Sequence, residues 1–334
     1  MVWEGEVIEL LLDISLLSML VVTALAIAHS RDLVAVVMLT GVYGFLSASF
    51  FVLMDAVDVA FTEAAVGSGI SPLLMLLTLA LVGRHETCAR SRSLPALILV
   101  GITGALLIYG TLGLPSFGDA NSPAQLHVAP RYISDSAAEI GIPNVVTSVL
   151  ASYRGFDTFG EVVVVFTAAI GVMSLLSTGA LPILPKAEGA HSHKVLRIVS
   201  KILIPPIMIF GLYVQFHGDY GPGGGFQAGV IFAAAIILYT MFFGVDFARR
   251  VVDVPALRFL AAFGALLYGS VGISSMLLGG NFLDYSVLAG NPITGQHIGI
   301  IVIELGVGIT VAAVMVLIFY SFVSQLDKQG RKDG

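Results

Sequence analysis

The sequence predicts an all-α, polytopic membrane protein with about nine transmembrane helices, its N-terminus outside and its C-terminus cytoplasmic. Three observations carry that expectation. Only 11% of the 334 residues are charged and 57% are hydrophobic, whereas a soluble domain carries roughly 25% charged residues. Mean hydropathy is +0.96. The apolar residues also fall into unbroken runs, each long enough to cross ~30 Å of hydrocarbon, for which a helix needs about 20 residues. A soluble fold with so little charge would expose a large apolar surface. A disordered chain would need more charge and less apolar bulk. Strands of a membrane barrel would alternate over ~10 residues instead.

The runs lie at about 6–28, 33–54, 58–82, 95–113, 156–178, 197–215, 225–245, 256–279 and 297–320. The first is not expected to be a cleaved signal, because Met1 to Glu9 is acidic and a signal peptide begins with a positive region. Lys and Arg set the orientation. Arg31, Arg84, Arg90, Arg92, Lys186, Lys194, Arg197, Lys201, Arg249, Arg250, Arg258, Lys328, Arg331 and Lys332 all fall on one side of a nine-span arrangement. Only Arg131 and Arg154 fall on the other. That split, 14 against 2, assigns the basic side to the cytoplasm.

Two segments break the apolar pattern. Residues 179–194 form a linker rich in Pro, Gly, Ala and His, with five spans before it and four after. Its His191 and His193 are expected to be solvated rather than a metal pair. The loop 114–155, assigned to the outside, holds Pro115, Pro123, Pro130 and Pro143. It is expected to be mostly irregular, with a short helix near 144–153. The single cysteine, Cys88, supports neither an internal disulfide nor an iron–sulfur or structural zinc site. No cofactor is expected, and in a redox assembly the redox centre would sit on another chain.

Carboxylates inside spans are the candidate functional groups, since one at the bilayer centre costs roughly 2.5–3.5 kcal/mol. Asp13, Glu63, Glu161 and Glu304 are so placed. Each either reaches water near a span end or needs a partner, a proton or a wet cavity. All four fall in the outer half of the assigned topology, where an acidic vestibule would concentrate cations. Glu304 lies about seven residues, or ~10 Å, inside the ninth span. His297 precedes it by two helical turns on nearly the same face. The pair reads either as a proton route or as helix–helix hydrogen bonding. Around Glu63, Gly67, Gly69 and Ser71-Pro72 suggest a loosened helix beside a carboxylate, as transporters use, or an ordinary small-residue contact.

The turn HGDYGPGGGFQAG, residues 217–229, superficially resembles a phosphate loop. It lacks the Gly-Lys-Ser/Thr ending and a preceding strand. Pro222, Gly223, Gly224, Gly225 and Phe226 are expected instead to form a tight structural turn. Its amides, at the start of a helix, would favour an acidic group.

This turn, followed by a helix and then HIGIIVIELGVGITV at 297–311, resembles the MnhB family, the B subunit of Mrp-type multisubunit sodium/proton antiporters, over about 195–325. The family's His and acid seven residues apart are matched by His297 and Glu304. Where its turn often has a second His or Asn, this chain has Asp219. Residues 10–83, with DVAFTEAAVGSG and Glu63 as its acid, resemble an MbhD-like domain. Residues 94–178, through NVVTSVLASYRGFDTFGEVVVVFTAAIGV at 144–172, resemble an MbhE-like domain whose motif includes Arg154, Asp157, Thr158 and Glu161. The implied organisation is 1–93, 94–178, the cytoplasmic linker 179–194, and 195–334.

The resemblance implies a multi-pass component of a bacterial or archaeal cell membrane that moves no ions alone. Its partners would be large A- and D-type subunits and small subunits, with Na+ and H+ as cargo. The large A-type partner would be short, stopping before the fused domains. The family's central lysines lie in the large subunits, and no span here has one. Two readings stay open beside it: a component of a hydrogenase-type respiratory complex, and a purely structural scaffold. An intramembrane enzyme is not expected, because no span offers a Ser/His, paired-Asp or His–metal constellation. Nothing points to nucleic acid.

Overall fold

A computed structural model describes residues 2–86, 93–116, 118–176 and 194–330. Cys88, Arg90, Arg92, Lys186, the linker with His191 and His193, Arg331 and Lys332 lie outside the described residues. The helices are α1 Val2–His29, α2 Leu33–Leu53, α3 Val57–Ala65, α4 Ser71–Val82, α5 Ser93–Thr111, α6 Ala129–Ser134, α7 Ser136–Glu139, α8 Val145–Thr147, α9 Gly155–Leu176, α10 Lys194–His217, α11 Gly225–Phe243, α12 Val245–Val251, α13 Val254–Leu277 and α14 Pro292–Gly330. Among the described residues nine helical segments are long and apolar enough to cross a membrane. Between helices, the described residues show only an isolated bridge, Asp32 to His85.

The core is built around α14, which packs on α13, α11, α9 and α4. The most apolar window of α14 is 61% buried and that of α1 only 6%, so α1 sits at the periphery. Lipid tails are as apolar as Leu, so helix association here rests on close packing rather than on water exclusion. The sequence supplies that packing through glycine. A Cβ on Gly225 would collide with the Glu304 carbonyl, and one on Gly229 would lie 2.7 Å from the Gly308 carbonyl oxygen. On the other face of α14, a Cβ on Gly306 would lie 2.7 Å from the Gly264 carbonyl oxygen of α13.

The third span is one continuous rod, Val57–Val82, interrupted by a π-helical turn at Val66–Ile70. Such turns let a helix absorb an irregular residue and are frequent at functional sites. Pro72 follows in the first turn of α4, where the missing N–H matters least, and its ring would be 3.1 Å from a Cβ on Gly41 of α2. The α1–α2 turn is fastened to the end of α4. Asp32 accepts from Val34 N at 3.0 Å and from Arg84 Nη2 at 2.7 Å, and Arg84 holds its carboxyl down at about 2.

The loop at 114–155 departs from expectation. It is largely helical rather than irregular: π-helical turns at Ala124–Val128 and Ser148–Tyr153 flank or join α6, α7 and α8. Pro123 and Pro130 stand at helix starts, where fixed φ favours the helix instead of breaking it. The loop is closed by Tyr153 donating to Glu139 Oε2 at 2.5 Å and by Arg131 pairing with Glu139 at 3.3 Å. Two further differences concern the second half. A short helix, α12, fills the α11–α13 connection, and α14 runs ten residues past the expected end at 320.

Candidate functional site

The Gly-rich turn positions the site. Gly224 caps α11 with φ of 119°, a conformation that favours glycine, and its N–H returns to the Val214 carbonyl at 3.1 Å. Three segments distant in sequence converge on this turn. Asn144 caps α8 through Val146 N at 2.9 Å and donates from Nδ2 to the carbonyls of Gly218 and Gly221 at 3.1 and 3.0 Å. Thr147 Oγ1 also donates to Gly218, at 2.6 Å. From α3, Asp58 Oδ1 accepts the Gly223 N–H at 3.2 Å and lies 3.5 Å from Asn144 Nδ2. The turn's amides thus do hold an acidic group. One turn further along α3, Thr62 Oγ1 accepts from Gln227 Nε2 at 2.8 Å.

Glu304 projects from α14 against this turn: its Oε1 would lie 3.1 Å from a Cβ on Gly224 and its Oε2 3.2 Å from one on Gly218. It borders two cavities. One, of about 280 Å³, is walled by α3, α8, α9, the turn and α14, and its polar groups include Asp58, Thr62, Thr158, Glu161 and Gln227. The other, of about 80 Å³, lies between Gln215, Asp219, Tyr220, His297 and Ile301. The larger has ample room for water. Among the described residues Glu304 has no hydrogen bond and no ion pair, and the carboxylates that act on it electrostatically are Asp219 and Asp58.

His297 does not reach Glu304 directly. Its Nδ1 lies 3.1 Å from Asp219 Oδ2, and Asp219 lines the small cavity that Glu304 also lines. The group between the two α14 residues therefore comes from the turn. Asp219 is buried, His297 half exposed. Burial pushes the Asp219 carboxyl above the usual carboxylate range, and His297 pulls it back down.

The other sequence candidates are distributed. Glu161 shares the large cavity with Glu304. Glu63 lines neither cavity. It folds back over Gly67 at the π-helical turn, facing Gly44 of α2. Asp13 is half-buried on α1, which packs chiefly on α2. Arg154 and Asp157 form an exposed pair at 2.6 Å. Among the described residues no three His, Cys, Asp or Glu side chains gather as a metal site. Sequence reasoning missed Asp58 and Asn144. A signal existed for each: Asp58 opens an apolar span without a nearby cation, and Asn144 precedes Val-Val-Thr as an N-cap.

Comparison with known proteins adds a family. Residues 195–317 match a domain related to the MnhB subunit of Na+/H+ antiporter. Residues 18–84 match MbhD and residues 88–180 match MbhE, two components of MBH. A Staphylococcus aureus (strain Newman) protein named for an antiporter subunit, mnhB2, is 37% identical over 130 residues, covering 38% of this chain and 92% of its own length. A chain in the structure of the Mrp complex from Dietzia sp. DQ12-45-1b superposes with a TM-score of 0.71 at 27% identity over 93% of this chain. This chain spans about a third of that one, 34% of its length. A chain of the membrane-bound sulfane sulfur reductase, an archaeal respiratory membrane complex, superposes with a TM-score of 0.54 at 26% identity, over 69% of this chain and 97% of its own. The chain belongs to the family of the MnhB subunit of Na+/H+ antiporters.

Proposed function

We propose that this chain is a membrane component of a multisubunit monovalent cation/proton antiporter and that it supplies part of the ion path rather than an enzymatic activity. The observation that carries the reading is Glu304, a carboxylate without a hydrogen bond or ion pair among the described residues, which separates two cavities. An unpaired carboxylate in a span is costly, which fits a group that takes up and releases a proton or a cation. In this reading His297 and Asp219 exchange protons with the outer mouth, Glu304 passes them on, and Glu161 and Asp58 hold cation or proton in the larger cavity. Proton and cation compete for the same carboxylates, because a nearby cation favours the charged form. Asp13, Glu63, Arg154 and Asp157 lie away from Glu304 and take supporting roles.

The same reading includes an outside N-terminus, from the 14 to 2 distribution of Lys and Arg. It divides the chain at 1–93, 94–178 and 195–334 about a cytoplasmic linker at 179–194. Large A- and D-type subunits and small subunits would complete the transporter. The test is Glu304→Gln in the assembled complex, read as sodium-dependent proton flux in inverted vesicles beside a pull-down of partner subunits. Loss of flux with intact assembly supports the reading; normal flux removes it. The likeness to a respiratory-complex chain over nearly that chain's whole length supports a second reading, ion translocation in a redox-driven assembly. Redox subunits that co-purify with this chain would favour it.

A further inference from the structure

A cavity of about 350 Å³ lies at the opposite end of the helices from the Gly-rich turn, between the start of α10 and the end of α11. Its walls include Pro205, Tyr239, Phe243 and Phe247, and its charged groups are Arg197 and Lys201. The two cations stand four residues apart on α10, so they share one face. Both lie over the same ring: Arg197 Cζ is 5.0 Å and Lys201 Nζ 5.6 Å from the centroid of Phe243. A third cation, Arg250 of α12, lies 5.6 Å from the ring of Phe247 on the cavity's rim. Among the described residues none of the three pairs with a carboxylate.

Like charges at this spacing repel, and no carboxylate among the described residues lies within ion-pair distance of either. Apolar and aromatic walls beside unpaired cations, at the ends of two membrane spans, fit a ligand with an anionic head and an apolar tail. We propose that this cavity binds the phosphate head of an anionic phospholipid, with the acyl chains running along α10 and α11. Arg197 and Lys201 take the phosphodiester oxygens, and Phe243 holds both side chains in place. Basic clefts between transmembrane helices recognise anionic lipids by this chemistry.

The experiment uses the detergent-purified complex containing the full chain. Dioleoyl-phosphatidylglycerol is titrated while the thermal unfolding midpoint of the complex is followed, with dioleoyl-phosphatidylcholine and inorganic phosphate in parallel. Phosphatidylglycerol should raise the midpoint, and the other two should not. Arg197→Gln with Lys201→Gln should raise the half-saturating phosphatidylglycerol concentration about thirtyfold. Arg258→Gln, at the same end but outside the cavity, should leave it unchanged. An unchanged titration in the double variant overturns the proposal. So does an equal response to inorganic phosphate, which would mark a free-anion site. Loss of a partner protein with an unaltered lipid titration would mark a protein interface instead and overturns it too. If the double variant does not fold, Phe243→Leu keeps both charges without their platform. It should raise the half-saturating concentration severalfold, and no change in it counts against the site.

Discussion

Asp58 Oδ1 accepts the N–H of Gly223 at 3.2 Å across 165 residues of sequence, and Asn144 meets the carboxylate and the turn at the same point. Asp58, Asn144 and Gly223 come from the segments matched to MbhD, MbhE and MnhB, respectively. One small node of hydrogen bonds therefore joins the three matched segments beside Glu304. With glycine at 218, 221 and 223–225, the turn has few side chains to hold its backbone. Its shape depends on its carbonyls and amides finding partners elsewhere.

Removing the Asp58 carboxylate should loosen that node. Asp58→Ala leaves the Gly223 amide without its acceptor, a loss of about 1–3 kcal/mol, while Asn144 keeps the Gly218 and Gly221 carbonyls for its two protons. It should lower the thermal midpoint of the purified complex. Asp58→Asn keeps an acceptor oxygen and should recover more than half of that loss. Equal destabilisation by the two variants would show that the negative charge, not the hydrogen bond, holds the turn.

Close packing of α11 on α14 gives a second test. Gly225→Ala pushes a methyl against the Glu304 carbonyl carbon at 2.9 Å and Val307 Cβ at 2.9 Å, and Gly229→Ala meets Val311 Cβ at 2.8 Å. Each should cost about 1–3 kcal/mol by overpacking and reduce the yield of assembled complex. Gly160 of α9 has open space around it, so Gly160→Ala should be neutral or slightly stabilising, by up to about 1 kcal/mol. Similar losses at all three positions would refute the packing account.

Much of this fold is legible in the sequence because the bilayer constrains composition so strongly. Nine apolar runs become nine candidate spans, since a helix is one of only two ways to satisfy a backbone in lipid. The Pro-Gly-Gly-Gly-Phe turn is legible because glycine at that density permits few other structures. The partners of the turn are not. Asn144 and Asp58 act across 86 residues, and no local periodicity reports such a pair. The π-helical turn over Gly67 also leaves no pattern in hydropathy, only the neighbouring glycines. The helices of the loop at 114–155 escape a reading that counts every proline as a breaker, whereas Pro123 and Pro130 begin helical segments.

Orientation can be measured with single cysteines in a Cys88→Ser background. Ala120 and Asp246 are separated by three candidate spans, α9, α10 and α11. Ala120→Cys should react with an impermeant thiol reagent in whole cells, and Asp246→Cys should react only after permeabilisation. Labelling of both from outside would overturn the span count between them. The reverse pattern would invert the proposed orientation.

The last prediction concerns the line from His297 through Asp219 to Glu304. Glu304→Gln should abolish most antiport while leaving assembly intact, since the amide keeps the shape but neither holds nor releases a proton. His297→Ala should do less, but with a defined sign. His297 pulls the buried Asp219 carboxyl down from the raised position that burial imposes. Without it, Asp219 stays protonated to higher pH, so the rising limb of activity against pH should move to higher pH. Asp219→Asn removes the titrating group and should flatten that limb. In the wild-type geometry Asp219 contacts His297 at 3.1 Å and shares a cavity with Glu304, so the residues are close enough to couple. Adding His297→Ala to Glu304→Gln should therefore lower activity little further than Glu304→Gln alone. Fully additive losses would mean two independent sites. A rising limb displaced to lower pH in His297→Ala would mean that Asp219 is not the group that His297 controls.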